Sequence, residues 1–424
     1  MAYAGYRRVL RNPSLLAIWL SQTVSDSGDL VFLISIVWYV LLSTGSVVLV
    51  GIAFAAFLIP SILVAPIAGV YVYRFNRRSV ILAAYALQGS VVAAGGALYV
   101  EHLLVFPAVL TIVLMVEIGH QFTIPANSAL VGRAVPREDL IAANGLLQSS
   151  GSTNQLGSSV LGGVLIGLLG IGIPLTYDAA SFAVGFVIML AVSPRFGTPS
   201  PSPTREQEKP KPPGWFEDFR DGVRYIRRDR LMLQFAIVGV VVSFFPMGLQ
   251  GLWAPYVKSA LSGSASLFGF FEAAFAFGAI LGGLLIGGIG SRVKAGHLLF
   301  LGLLGQAISI IGLGLTRQPI VALAFASGLG LSQATNTIPF QSLLQAKLPS
   351  HLFGRVSTLL STLVFAPSPA IIVLSSAFAS ATSVTFIVEA YGVAMLGCVL
   401  VGLLLAGESR RAEIPGSGVV QTAG

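Results

Sequence analysis

The sequence is expected to form an all-α membrane protein, with twelve transmembrane helices in two pseudo-symmetric six-helix bundles. Three observations lead there. Twelve apolar stretches reach the roughly 20 residues needed to cross a bilayer, six on either side of a basic, proline-rich segment. Of the 25 Lys and Arg residues, all but Lys258 and Arg317 lie in loops on one side of those stretches. Hydrophobic residues make up 55% of the chain and charged ones 10%, against about 25% charged in ordinary soluble domains.

The stretches run over residues 14–42, 47–72, 79–100, 103–127, 144–169 and 173–192, then 231–257, 264–290, 296–316, 319–343, 354–378 and 383–406. The first follows a basic start, but it is too long for a signal-peptide core and carries Asp26 and Asp29, so it is expected to remain as a span. The loops holding Arg7, Arg8 and Arg11, Arg74, Arg77 and Arg78, and Arg133 and Arg137 share a face with those holding Arg292 and Lys294, Lys347 and Arg355, and Arg410 and Arg411. Short basic loops stay in the cytoplasm, so both termini are expected there. The net charge of +8 is then a property of those loops and of their attraction to anionic lipid, and no nucleic-acid partner is implied. The single cysteine, Cys398, excludes an intramolecular disulfide and any cysteine-based metal cluster.

Four parts follow: a bundle over 1–192, a linker over 193–230, a second bundle over 231–406 and a tail over 407–424. The linker opens with seven prolines between Pro194 and Pro213, which break any helix. From Trp215 to Arg230, Phe216, Phe219, Val223 and Ile226 recur at helical spacing opposite Asp218, Arg220, Asp221 and Arg224. That pattern predicts an amphipathic helix on the inner membrane surface. The halves repeat weakly: Gly69 to Arg74 aligns with Gly287 to Arg292, and Ile124-Pro125 with Ser128 matches Ile338-Pro339 with Ser342. Duplicated halves place a substrate site near mid-membrane, opened to each side in turn by rocking.

Ionisable groups inside spans are costly and therefore candidates for function. Gln22, Ser25, Asp26 and Asp29 share one face of the first span. Two acids one turn apart cannot both carry charge cheaply, which suits them to exchanging a proton. Glu117, His120 and Gln121 share a face of the fourth span, and an acid beside an imidazole can relay protons. Glu272 lies among Phe268, Phe270, Phe271 and Phe275, a setting that suits an amphipathic cation. Polar rows run along the fifth span (Asn144, Gln148, Ser152, Gln155, Ser159) and the tenth (Gln333, Asn336, Thr337, Phe340, Gln341). They either line a path or bond helix to helix. Asp178 and Glu389, nearer the outer ends of their spans, are expected to be structural or interfacial, within reach of headgroup water. The glycines Gly162 and Gly163 of the fifth span, and Gly278, Gly282 and Gly283 of the eighth, predict close helix contact.

Several stretches carry a family resemblance. They include Asn12-Pro-Ser-Leu-Leu-Ala-Ile-Trp-Leu-Ser-Gln, Gly28-Asp29, Thr44-Gly45-Ser46, the Gly69 to Arg78 loop, Pro125-Ala126, Val135-Pro136, Asp178-Ala-Ala-Ser-Phe182 and Gly354-Arg355-Val356. In this order, over nearly the whole chain, they resemble the major facilitator superfamily, and within it the macrolide-efflux and enterobactin-exporter-like branch. The resemblance implies a monomeric secondary transporter of the cytoplasmic membrane that needs no cofactor and uses a proton gradient to expel hydrophobic or amphipathic small molecules. It also implies a cytoplasmic gate at Gly69, Tyr73, Arg74, Arg77 and Arg78, repeated at Gly287 and Arg292. In that family the loop reads Gly-x-x-x-Asp-Arg-x-x-Arg-Arg; Tyr73 stands in place of the acid, and Glu138 or Asp139 could supply the missing partner. In the fifth span, Ser158-Ser159-Val160-Leu161 precedes Gly162-Gly163 where related exporters often carry Gly-Pro.

Proton coupling is thus expected of Asp29, Glu117, His120 and Asp26, and substrate contact of Glu272, Gln121, Gln333, Asn336, Gln341 and Gln148. No nucleotide-binding loop or zinc motif is present and no soluble ATPase domain, so an ion or substrate gradient must supply the energy, or transport is passive. The alternatives are an importer or facilitator of a polar metabolite, which the scarcity of cations within the spans disfavours, and a lipid scramblase or non-transporting sensor on the same fold.

Overall fold

The structure, a computed structural model, describes residues 8–72, 74–197, 234, 243–289, 293–347, 362 and 365–405. Tyr73, Arg292, the linker helix expected at 215–230, the tail and the first parts of the spans expected at 231–257 and 354–378 lie outside them. Among the described residues every regular element is helical.

Local chemistry sets the helix ends. Helix α1 (Pro13–Thr44) starts where Asn12 Oδ1 accepts from the Ser14 and Leu15 N–H groups, satisfying donors that the helix itself cannot. It ends at Gly45, whose φ of 64° is one that glycine adopts without cost. The expected second span is broken into α2 (Val47–Leu63) and α3 (Ala65–Val72), bent by 45°. Pro66, two residues into α3, has no N–H for the Ile62 carbonyl, so the helix kinks there. Helices α4 (Arg77–Val100), α5 (Phe106–Ala134), α6 (Leu140–Leu169) and α7 (Gly172–Leu190) follow.

Further along, a 3-10 turn at Gln250–Leu252 interrupts the expected seventh span before α8 (Trp253–Ser259). Pro255 cannot bond the Gly251 carbonyl, and in the first turn of α8 its missing donor costs nothing. Next come α9 (Ala265–Ile289), α10 (Ala295–Leu315), α11 (Pro319–Lys347), α12 (Ser368–Ala381) and α13 (Val384–Leu405). Pro125 and Pro339, paired in the sequence repeat, both lie inside their helices, α5 and α11. Among the described residues seven helices are long and apolar enough to cross a membrane, and eight if α2 and α3 form one span. Helices α6 and α11 are long enough as well, but they carry the polar rows.

The chain divides into two compact units: Met1–Arg205 with Gly263–Ala273, and Glu206–Ser262 with Ala274–Gly424, so that α9 contributes to both. In the first unit α1 packs against α7, α6, α2 and α5, and α4 packs against α7 and α5. The α1–α7 seam is polar and tight. Ser21 Oγ donates to the Gly185 carbonyl at 2.8 Å, and the Ser27 and Tyr177 hydroxyls meet at 2.8 Å. Next to the second bond, Gly28 lies directly against Asp178 and Ser181, where any Cβ would overlap both side chains. Gly163 of α6 similarly meets Gly269 of α9 backbone to backbone: a Cβ there would lie 2.6 Å from the Gly269 Cα. In the second unit α10 packs against α11 and α13, with Gly302 set against the Ser332 and Asn336 backbone.

Candidate functional site

The polar face of α1 opens into a cavity of about 290 Å³ inside the first unit. Gln22, Ser25, Asp26 and Asp29 line it from α1; Tyr85 of α4, His120, Thr123 and Asn127 of α5, and Asn154 and Gln155 of α6 complete most of the wall. Two bonds fix α6 against α1 beside it: Trp19 Nε1 donates to Ser150 Oγ at 2.6 Å, and Asn154 Nδ2 donates to the Thr23 carbonyl at 3.1 Å. Gln88 of α4 donates to the Val116 carbonyl at 3.0 Å and holds α4 on α5.

At the centre, His120 Nδ1 lies 3.5 Å from Asp29 Oδ2, an ion-pair distance longer than a good hydrogen bond. Both Asp29 oxygens are shut off from solvent with no hydrogen-bond partner, and so is Asn127 Oδ1. The wall therefore presents acceptors and acids, and no Lys or Arg lines it. Such an arrangement can hold a proton, pass it between carboxylate and imidazole, or pair with a cation. No group of three His, Cys, Asp or Glu side chains among the described residues is arranged to hold a metal ion.

Of the residues expected to couple protons, Asp26, Asp29 and His120 are brought together. Glu117 sits one turn from His120 on α5, half-buried and outside the cavity wall. Gln121 is buried, and its amide donates at 3.4 Å to the Glu117 carbonyl of its own helix. Gln148 is exposed on α6, one to two turns from the lining residues Gly151 and Gln155. Glu272 is half-buried on α9, away from this cavity; of its aromatic neighbours Phe268 and Phe271 are buried, and Phe268 stacks on Trp38 with ring centroids 5.9 Å apart. In the second unit Gln333, Thr337 and Gln341 form one row on α11, while Asn336 is buried, accepts from Thr337 Oγ1 at 3.0 Å and abuts α10.

Two features escaped the sequence. Asn127 lies two turns beyond His120 on the same α5 face, a spacing that could have revealed it. Asp178 overturns its expected contact with headgroup water: it is 0% exposed, with Oδ1 3.5 Å from Ser181 Oγ and Oδ2 unpartnered. No local signal announces that α7 presents this acid to Gly28.

A model of the Major Facilitator Superfamily matches residues 18–373. The chain belongs to the major facilitator superfamily. Similar proteins include macrolide efflux protein A of Streptococcus pyogenes, 24% identical over 85% of this chain and 88% of the relative. The enterobactin exporter EntS of Escherichia coli O1:K1 is 26% identical over 69% of this chain and 68% of its own. Among solved structures, a bacterial homologue of the iron transporter ferroportin, in an inward-facing state, has a TM-score of 0.70 at 18% identity, covering 93% of this chain and 99% of that one. The nucleoside transporter NupG has a TM-score of 0.73 at 9% identity over 92% and 99%. These likenesses establish the all-α, multi-span fold, and the family match makes the chain a membrane transporter.

In this superfamily member Arg78, in the loop expected to form the gate, binds the end of α7. Arg78 donates from Nε and Nη2 to the Met189 and Leu190 carbonyls at 3.2 and 2.9 Å, capping the end of α7. Arg77 is buried and Arg74 exposed, while Gly69 and Gly287 have open space beside them. Neither Glu138 nor Asp139 joins Arg74 or Arg78. Both turn to Arg8: Asp139 accepts from its guanidinium at 2.6, 3.0 and 3.1 Å, and Glu138 lies 3.7 Å away. Asn12 Nδ2 adds a bond of 2.7 Å to the Ala134 carbonyl, so the start of α1 is stapled to the α5–α6 turn.

The Arg8 hydrogen bonds hold the Asp139 carboxyl below the usual carboxylate range, and the same bonds raise Arg8. A carboxyl depressed in the folded state stabilises fully above its unfolded value of about 3.9 and loses that effect as pH falls through the folded one. Asp139→Asn is therefore expected to lower the melting temperature of the detergent-solubilised protein by a constant margin between about pH 5 and 8. The margin closes in more acid solution. A margin that persists at low pH would mean that the charge pair is not its source.

Proposed function

We propose that this chain is a proton-coupled exporter of hydrophobic or amphipathic small molecules, working by alternating access in the cytoplasmic membrane with both termini inside. The observation that carries the proposal is the cavity in which Asp29 pairs with His120 beside Asp26, with acceptors around them and no Lys or Arg in its wall. In hydrocarbon surroundings such acids persist only with a task or a partner. Asp29 and His120 carry the proton, Asp26 shares it, and Glu117 tunes the imidazole from one turn away. Gln148, Glu272, Gln333 and Gln341 contribute to the substrate path. The outward direction is supported by the similarity to macrolide and enterobactin efflux proteins.

The test is efflux of macrolides, siderophores and lipophilic cations from inverted vesicles or proteoliposomes, with and without an imposed proton gradient. Gradient-dependent movement of one class is expected, with cationic amphiphiles favoured over anions. Movement indifferent to the gradient would point instead to a facilitator, and absence of movement for every class to a lipid-active or sensory protein.

A further inference from the structure

A second cavity of about 660 Å³ lies in the first unit between the end of α4 and the start of α7. It shares no lining residue with the Asp29 cavity. Small residues hollow it out, Ala93, Gly96 and Ala97 on α4 and Gly172 on α7, and Leu169 and Ile173 wall it. Those walls stand open, Leu169 being 60% and Ile173 43% exposed. Exposed apolar residues of this kind, at the end of α6 and the start of α7, suit the lipid side of the headgroup boundary.

The mouth is chemically different. Tyr99 and Glu101 both line it, at the point where α4 ends. The Tyr99 ring is held edge-on to Tyr39 with centroids 5.8 Å apart, and Tyr39 OH donates to the Leu104 carbonyl at 2.6 Å, so the turn that carries Glu101 is anchored. No hydrogen bond or ion pair engages the Glu101 carboxylate among the described residues. The Glu101 carboxylate and the Tyr99 ring line the same mouth, and each attracts a cation.

We infer that this groove binds a phospholipid with a primary-ammonium headgroup, in the leaflet opposite the cationic loops. Its acyl chain lies along the small residues of α4 and α7, and its ammonium sits against Glu101 and Tyr99. The groove falls within the range of about 300–1,000 Å³ typical of small-molecule sites. Its exposed apolar walls favour a resident of the bilayer over a solute from the transport path. A primary ammonium suits the carboxylate better than a quaternary one because it can donate hydrogen bonds.

Native mass spectrometry of the delipidated full chain, titrated with phosphatidylethanolamine, phosphatidylcholine and phosphatidylglycerol, tests this. Phosphatidylethanolamine is expected to bind roughly tenfold more tightly than phosphatidylglycerol, and Glu101→Gln to erase that preference. Ala97→Trp, which fills the groove, is expected to weaken retention of phosphatidylethanolamine. Because Glu101 lies outside the proton cavity, Glu101→Gln should leave gradient-driven efflux intact in a fixed lipid mixture, which separates this inference from the proposed transport function. Equal binding of the amine and glycerol lipids, or an unchanged preference in Glu101→Gln, would overturn it.

Discussion

Asp29→Asn is expected to reduce gradient-driven export to the rate seen without a gradient, while exchange of substrate between the two sides continues. Asparagine keeps the shape of the side chain but cannot bind and release a proton. His120, 3.5 Å from Asp29 Oδ2, would lose its ionic partner, leaving the imidazole free to titrate without transmitting anything. Asp29→Glu should retain part of the coupling, since the acid survives with a shifted reach. Asp26→Asn is expected to fall between these, because Asp26 lines the same cavity without facing the imidazole so directly. Glu117→Gln should have the mildest effect of the acids, lying outside the wall. Export and exchange measured side by side in proteoliposomes separate loss of coupling from loss of folding. Full gradient dependence in Asp29→Asn would remove the residue from the coupling path.

Gly28→Val should produce the largest structural effect. Even a single methyl at that position would overlap the Asp178 and Ser181 side chains, lying 2.8 Å from Ser181 Cβ. Overpacking of a tight interface costs about 1–3 kcal/mol, and occasionally more. Here the neighbours cannot yield easily, because the seam is pinned by the Ser21–Gly185 and Ser27–Tyr177 bonds. A marked fall in melting temperature and in membrane yield is expected, with Gly28→Ala milder in the same direction. Ser181→Gly combined with Gly28→Ala should recover part of the loss by removing the opposing atoms. A Gly28→Val protein with the wild-type melting temperature would show that α1 and α7 are not in this contact.

The helices long and apolar enough to cross a membrane were legible because hydropathy acts along the chain, residue by residue. So was the polar face of α1: Gln22, Ser25, Asp26 and Asp29 share it by helical spacing alone, and His120 was identified on α5 by the same rule. What sequence could not supply was which helix each face meets. Asp178 reads as an acid near a span's end, yet the approach of α7 to Gly28 seals it from water. Glu138 and Asp139 read as partners for the basic gate loop, but Arg8, distant in sequence, takes both. The break between α2 and α3 was implicit in Pro66, but the unbroken apolar run around it concealed the kink. Gln121 and Asn336 share helix faces with the candidate residues in projection, while packing turns one toward its own helix and the other toward α10.

Proton movement driven by substrate alone is the most direct measurement. Proteoliposomes carrying a pH-sensitive dye, with no proton gradient imposed, would be given an outward gradient of whichever compound the efflux panel identifies. The wild-type chain is predicted to move protons against the substrate flow, and Asp29→Asn to move substrate by exchange without protons. Substrate flow in the wild type with no proton movement, or identical proton movement in Asp29→Asn, would contradict coupling through the Asp29–His120 pair.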